Sequence, residues 1–238
     1  KIHYKTFDWF IKESEHFKVY YYNADEVRLL EIVEMLESAY KNHSEYLQVQ
    51  LKDKAPVILY ETHRDFEQTN IISGFLPPQV EGFSELLMNR LVVPIDSPND
   101  ELEALIWHEL THIFQYRIFR SSILTKEPPM WFMEGLAEHM SNRWDMKGEM
   151  VLRDAIMNNH FYTLQQMEHF YYTPNVYQCY KESQSFIDWF VEIYGLDKLR
   201  KMIRYLRRPG QFNLNQVFKK TVGLSYRQIN DKWYGDLK

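Results

Sequence analysis

Cysteine is almost absent from the 238-residue sequence, and long apolar runs and an excess of basic charge are absent as well. The single cysteine, Cys179, has no partner for a disulfide bond within the chain, and a cysteine-based zinc site is excluded. No apolar run approaches the roughly 20 residues that a membrane-spanning helix needs. A net charge of −5 and a pI near 6.0 argue against a general nucleic-acid-binding protein, which needs a basic face.

Secondary-structure patterns in the first third of the chain alternate between strand and helix. β-branched and aromatic residues at Phe17–Tyr22 and an apolar run at Pro56–Tyr60 predict two strands. Apolar positions with helical spacing between them predict a helix that begins after Asn23 or Asp25. After several glycine and proline residues, Phe83–Met88 and Leu91–Ile95 are typical of two further strands.

From Pro98 onward almost every segment has a helical pattern. The predicted helices begin at residues 97–100 and run to about Phe119, then cover Pro129–Asn142, Gly148–Asn158, Thr163–Phe170, Val176–Tyr194, Asp197–Leu206, Gln211–Lys220 and Ser225–Leu237. The expected fold class is therefore α+β, with a small mixed sheet packed on the first of these helices and a mainly helical C-terminal part. We expect one domain over residues 1–238, made of an α/β part (1–97), two motif-bearing helices (98–142) and a helical part (143–238).

The most informative segment is Ile106–Gln115, which contains the pattern H-E-x-x-H at His108, Glu109 and His112. Residues i and i+4 project from one face of an α-helix about 6 Å apart along the axis. Both imidazoles can therefore reach one Zn²⁺ at about 2.0–2.1 Å. Glu109 lies one position further round the helix, where its carboxylate can reach a water molecule activated by the metal. The alternative is that the histidines are merely satisfied by hydrogen bonds on a helix face.

A third protein ligand has to come from another segment, because a catalytic zinc keeps three protein ligands and one open position. Glu134 is a candidate because it lies among apolar residues, where a carboxylate needs a partner. Gly135 removes a side chain where a second helix has to approach closely. Glu138, one turn later on the same face, could accept a hydrogen bond from a ligand imidazole. The alternative for both glutamates is the exposed acidic face of an amphipathic helix.

Together, the strings HELTH and WFMEGLAEH resemble the gluzincin zinc metallopeptidases of the MA clan, whose signature is H-E-x-x-H plus a glutamate on a following helix. The second string is similar to that of the aminopeptidase N group. The resemblance implies a thermolysin-like architecture and one zinc ion per chain, with His108, His112 and Glu134 as ligands and Glu109 as general base. It also implies peptide-bond hydrolysis, in which zinc polarises the attacking water and the scissile carbonyl.

Nearly the whole chain resembles bacterial peptidase MA-like domains, which often precede a TolB-type β-propeller in exported proteins. The similarity is carried by the strings EHFKVYYY, QTNIISGFLP and NRLVVP and by WD…LRDA between Trp144 and Ala155. It implies a periplasmic or extracellular location and a β-propeller domain in a longer parent chain, although the sequence shows neither a propeller nor a signal peptide. The chain begins with Lys1 rather than methionine, so we expect a processed form or a fragment.

The resemblance also implies a catalytic tyrosine. In aminopeptidase-like gluzincins this tyrosine opens a Y-x-x-G string at the start of a helix that ends in glycine. Tyr180 matches the tyrosine and Gly195 lies at the matching distance, but Ser183 replaces the glycine of the string. Tyr177, one turn earlier, is the alternative donor, and a purely structural role for Tyr180 stays open.

Substrate binding in gluzincins uses an edge strand before the zinc helix, which pairs with an extended peptide. The resemblance therefore implies a peptide or protein substrate along Phe83–Met88 or Leu91–Ile95. Glu85 lies roughly where the aminopeptidases keep a glutamate for the free amine of the substrate, but the surrounding GFSELL lacks their G-x-M-E-N pattern. The alternative is an ordinary strand glutamate.

Two other functions compete with hydrolysis. The first is a catalytically silent, zinc-loaded protein-binding module of the cell envelope, but a module of that kind has no need of Glu109. The second is a di-iron carboxylate bundle, which needs two E-x-x-H motifs on facing helices. The second match, Glu13-x-x-His16, borders a strand pattern, so the sequence argues against this function.

Overall fold

The computed structural model of the chain describes residues 6–23, 25–69, 71, 76–77, 79–85, 88–119, 127–141, 146–208 and 213–238. The chain divides into two compact units, Lys1–Tyr116 and Arg117–Lys238. Within the described residues, all strands belong to the first unit and the second is helical. The expectation of one domain over residues 1–238 stays a prediction.

The first unit contains a mixed sheet built from five strands of the described residues. The strands are β1 (Phe10–Glu13), β2 (Phe17–Tyr21), β3 (Ala55–Tyr60), β4 (Phe83–Glu85) and β5 (Arg90–Pro94). Their order in the sheet is β1-β2-β3-β5-β4, with the central three parallel and the outer two antiparallel to their neighbours. The central strands are rich in buried β-branched and aromatic residues, which suit a pleated surface covered by other elements.

Three helices of the first unit are described: α1 (Glu26–Leu47), α2 (His63–Phe66) and α3 (Asn99–Phe119, which ends just beyond this unit). The side chain of Asp25 caps α1 by accepting a hydrogen bond from the backbone N–H of Arg28 at 2.8 Å. The buried positions of α1 recur every three or four residues, so they share one face of the helix, which lies against the core. Near the C-terminal end of α1 this face contacts α3, where the ring of Tyr40 lies 5.5 Å from that of Phe114.

His43 of α1 fixes part of that contact with α3. Its Nε2 atom lies 2.9 Å from the backbone oxygen of Trp107 and 2.8 Å from the hydroxyl of Thr111. Burial lowers the pKa of His43 to about 4, so the ring is neutral at physiological pH. A neutral histidine of α1 therefore stabilises the contact with α3 through hydrogen bonds.

The second unit is a set of helices around a long central one. The helices are α4 (Met130–Ser141), α5 (Met146–Met157), α6 (Leu164–Met167), a 3₁₀ helix (Phe170–Tyr172), α7 (Val176–Tyr194), α8 (Leu196–Leu206), α9 (Leu214–Val222) and α10 (Tyr226–Asp236). Side chains of Asn175 and Ser225 cap the N-termini of α7 and α10. The buried ring of Phe186 in α7 lies 5.2 Å from Trp131 of α4 and 5.3 Å from Trp233 of α10, so α7 forms the centre of this core.

The predicted α+β fold class is confirmed, and the differences are local. The sequence patterns do not predict β1, an outer strand with little burial and no alternation of apolar residues. The predicted helix at Thr163–Phe170 is two short elements, α6 and the 3₁₀ helix. β4 ends at Glu85, and residues 86–87 of the predicted strand lie outside the described residues, as do Asn142, Trp144, Asp145 and Gln211. No helix in the described part of the chain is long and apolar enough to cross a membrane.

Candidate metal centre

His108 and His112 lie on consecutive turns of α3, as their spacing predicts. Their Nε2 atoms are 3.2 Å apart and their rings are inclined at 77°. Two ligands of a tetrahedral zinc ion, each about 2.0–2.1 Å from the metal, are separated by about 3.3–3.4 Å. The two imidazoles therefore already have the separation of a pair of zinc ligands.

Gln115 orients one of these imidazoles. Its Oε1 atom lies 2.9 Å from Nδ1 of His112, and the glutamine side chain is fully buried. When Nδ1–H donates to this oxygen, Nε2 keeps its lone pair for a metal. Gln115 is not among the residues that the sequence motifs predict, and its position three residues after His112, on the same helix face, is the signal that could have identified it.

Replacing Gln115 with leucine is expected to weaken zinc binding by about 10–100-fold, because the imidazole of His112 loses its orienting acceptor. Leucine has a similar volume, so we expect α3 to stay folded. A competition titration with a chelator measures the zinc affinity, and circular dichroism measures the fold. Unchanged zinc affinity in a folded Gln115→Leu chain would show that the glutamine does not support the site.

Glu134 is buried in α4, as its apolar neighbours predict, with 7% of its surface exposed. The next residue, Gly135, lies where α4 crosses α7. A Cβ atom at Gly135 would lie 2.5 Å from the backbone oxygen of Ser183, far inside van der Waals contact. The prediction that Gly135 permits a close approach of two helices is therefore confirmed, and this contact fixes the backbone next to Glu134.

Ser183, which departs from the Y-x-x-G string, is the residue that Gly135 contacts. The hydroxyl of Ser183 turns back along α7 and donates to the backbone oxygen of Cys179 at 2.6 Å. The serine therefore fits at the crossing because the facing position is a glycine and its own side chain stays on α7. This departure from the family string does not disturb the packing of α4 on α7.

The described residues include one group of three side chains that could hold a metal ion, His108, His112 and Glu134. One ligand atom from each lies within 4.8 Å of the other two. Two imidazole nitrogens and one carboxylate oxygen form a common donor set of catalytic zinc sites. The chemistry of the group therefore fits zinc, with one coordination position left for water or substrate.

Glu109, the predicted general base, is held by the edge strand β4. The Oε2 atom of its carboxylate accepts a hydrogen bond from the hydroxyl of Ser84 at 2.8 Å, and the same hydroxyl lies 2.6 Å from the backbone oxygen of Glu109. Only 8% of the Glu109 surface is exposed. Ser84 is not predicted from the sequence, since nothing in the sequence shows which strand residue faces α3.

Glu138 forms an ion pair with a lysine that the sequence analysis missed. The Nζ atom of Lys181 lies 2.5 Å from Oε2 of Glu138, and Lys181 is buried. Lys181 directly follows Tyr180 in α7, so the pair joins α4 and α7 beside the two candidate residues Glu134 and Tyr180. The predicted hydrogen bond in which Glu138 accepts from a ligand imidazole stays a prediction.

Tyr180 shares its surroundings with Glu134 and with a second tyrosine. Its ring packs edge-on against Phe170 at 4.8 Å, and its hydroxyl is hydrogen-bonded to that of Tyr171. Burial, followed by the negative charge of Glu134, raises the pKa of Tyr180. Partial burial, followed by the charge of Glu134, raises the pKa of Tyr171. Both phenols therefore stay protonated and can donate hydrogen bonds at neutral pH.

Tyr171 and Tyr177 differ in what surrounds their rings. Tyr171 lies in the 3₁₀ helix with 59% of its surface exposed, and the sequence does not predict its role because no local pattern links it to α7. The ring of Tyr177 lies 4.7 Å from the ammonium group of Lys147 and 5.7 Å from that of Lys181, which are cation–π contacts. The role of Tyr177 as an alternative donor stays a prediction.

Of the two strands considered for substrate binding, β4 is the one at the edge of the sheet that the described residues form. β5 pairs with β3 on one side and β4 on the other, so the suggestion that Leu91–Ile95 binds a peptide edge-on is wrong. Glu85 in β4 accepts hydrogen bonds from Nε of Arg90 at 3.1 Å and from the backbone N–H of Met88 at 3.0 Å. A role for Glu85 in binding a free amine stays a prediction.

Comparison with known proteins identifies one family. The sequence model of the Peptidase MA superfamily matches residues 39–238. The match includes His108, Glu109, His112 and Glu134 and begins after the first two strands. A search of curated proteins finds no match to this chain.

Proposed function

Because the chain belongs to the Peptidase MA superfamily, we propose that it is a zinc metallopeptidase that hydrolyses peptide bonds. The observation that carries this proposal is the group of His108, His112 and Glu134, whose ligand atoms lie within 4.8 Å of one another. We propose these three residues as the ligands of one zinc ion per chain. Glu109, directly after the first ligand, is the proposed general base.

The proposed residues divide the reaction between them. When bound, zinc supplies Lewis acidity, which lowers the pKa of water and polarises a carbonyl group. Glu109 takes a proton from the attacking water and passes it to the nitrogen of the leaving amine. Tyr180 donates a hydrogen bond to the former carbonyl oxygen as negative charge develops on it. Glu138 and its partner Lys181 hold α4 and α7 in place beside this site.

The proposed substrate is an extended peptide that pairs with β4. Within the described residues, β4 pairs with β5 alone, so its other edge has backbone groups that can bind a peptide as an added strand. Pairing of this kind selects an extended backbone rather than particular side chains.

We also propose that the chain is exported from the cytoplasm, because its sequence is similar to peptidase MA-like domains of exported proteins.

Metal analysis combined with a peptide-library cleavage assay tests the proposal. We expect one zinc ion per purified chain, cleavage of extended peptides, loss of cleavage on treatment with a chelator, and recovery on addition of zinc. Binding of zinc without cleavage of any peptide in a broad library would contradict the proposed hydrolysis. That result would favour the alternative, a catalytically silent protein-binding module.

A further inference from the structure

We propose that Ser84 is the positioning residue of the general base, and this inference rests on the proposed function of Glu109. The hydroxyl of Ser84 donates a hydrogen bond to Oε2 of Glu109 and so holds the carboxylate in a single orientation. Oε1 is then the oxygen that takes a proton from water. No motif identifies Ser84, and only the contact between β4 and α3 indicates its role.

The geometry around Ser84 fixes both the backbone and the side chain of Glu109. The Oγ atom of Ser84 lies 2.6 Å from the backbone oxygen of Glu109 and 2.8 Å from Oε2 of its carboxylate. One hydroxyl therefore contacts two acceptors of the same residue. A glutamate side chain has three rotatable bonds, so a contact that links its carboxylate to its own backbone through a neighbour removes much of this freedom.

The alternation of side chains along β4 explains why Ser84 is the residue that reaches the carboxylate of Glu109. Successive residues of a strand point to opposite faces of a sheet. Phe83 packs in an aromatic cluster, with its ring 5.7 Å from that of Phe66, and Glu85 pairs with Arg90. Ser84, between them, contacts α3 through Glu109.

The same strand also offers the edge that we propose for the peptide. A peptide paired with β4 would have its backbone at a fixed separation from the backbone of Ser84, since neighbouring strands lie about 4.7–4.9 Å apart. Ser84 would therefore set the distance between the peptide backbone and the carboxylate of Glu109. Catalytic groups that lose such positioning by about 1 Å can lose about 10²-fold in rate.

The test compares Ser84→Ala with Ser84→Thr in the full chain. We expect Ser84→Ala to lower kcat by about 10–100-fold with KM little changed, because the hydroxyl acts on the base and not on substrate binding. Ser84→Thr keeps the hydroxyl and suits a strand, so most of the loss should be recovered. Ser44→Ala is the matched control, because Ser44 also donates to a helix backbone oxygen, that of Lys41, at 3.0 Å.

A second measurement tests the contact without activity. The ¹³C resonance of the Glu109 side-chain carboxyl, assigned with a Glu109→Gln chain, should shift in Ser84→Ala and return in Ser84→Thr. The chain is measured before and after zinc removal. If the wild-type chain cleaves no peptide, the proposed function fails, and this resonance still decides whether Ser84 holds Glu109.

Three results would overturn the inference. The first is a wild-type kcat together with an unshifted Glu109 resonance in Ser84→Ala. The second is a raised KM with kcat unchanged, which would make Ser84 a substrate contact. The third is a loss of kcat that threonine does not recover, which would indicate a packing defect in place of a missing hydrogen bond.

Discussion

Replacing Glu109 with glutamine should lower the rate of peptide hydrolysis by about 10²–10⁴-fold and leave the fold and the zinc content unchanged. The amide is close in shape to the carboxylate, and its oxygen can still accept the hydrogen bond from Ser84. It cannot take a proton from water at neutral pH, and the loss of a general base costs about 10²–10⁴-fold in rate. We expect kcat to fall by that factor, measured with a peptide identified in the library assay.

Glu103→Gln is the matched control for this experiment. Glu103 lies on the same helix, α3, and is exposed, so the same change there should leave hydrolysis unaffected. Zinc analysis of both chains separates a lost base from a lost metal. Hydrolysis at the wild-type rate by the zinc-loaded Glu109→Gln chain would falsify the assignment of Glu109 as the base.

The sequence predicts the part of the candidate site that depends on local spacing. His108 and His112 are four residues apart in a helix, so helix geometry places them on one face, where their Nε2 atoms lie 3.2 Å apart. Gly135 predicts a close crossing because a glycine beside a buried glutamate removes the one side chain that would obstruct it. In both cases neighbouring residues in the sequence carry the whole signal.

The contacts that the sequence does not predict join distant segments. Ser84 reaches Glu109 across 25 positions, and Lys181 reaches Glu138 across 43. A strand serine and a helix lysine are common residues with solvent-exposed roles in most proteins, so nothing in their local pattern indicates these partners. The strand β1 is not predicted either, because it is mostly exposed and its apolar residues do not alternate with polar ones.

The hydrogen-bonded pair of Tyr180 and Tyr171 contains one residue that the sequence predicts and one that it does not. Tyr180 is predicted through a resemblance in the sequence, whereas Tyr171, its hydrogen-bonded partner, comes from a separate short helix.

Attack of water on a peptide carbonyl places negative charge on the former carbonyl oxygen. A phenol that donates to this oxygen stabilises the transition state, and removing one such donor costs about 10²–10³-fold in kcat. Its raised pKa keeps the proton of Tyr180 in place for this role.

Tyr180→Phe should therefore lower kcat by about 10²–10³-fold with KM little changed, because the interaction is made mainly in the transition state. The phenylalanine ring keeps the edge-on contact with Phe170, so fold and zinc content should survive. Tyr171→Phe should have a smaller effect, since Tyr171 acts through the hydroxyl of Tyr180. Tyr172→Phe is the matched control, because Tyr172 is 90% exposed and adjacent in the same 3₁₀ helix.

The relative losses in this series identify the donor. A large loss in Tyr171→Phe and none in Tyr180→Phe would make the exposed phenol of Tyr171 the group that contacts the substrate. A large loss confined to Tyr177→Phe would move the assignment one turn back along α7. Full kcat in all three variants would show that no phenol stabilises the developing charge. With hydrolysis by Glu109→Gln lowered at the same time, charge stabilisation would then come from groups other than these tyrosines, while proton transfer by Glu109 would stand.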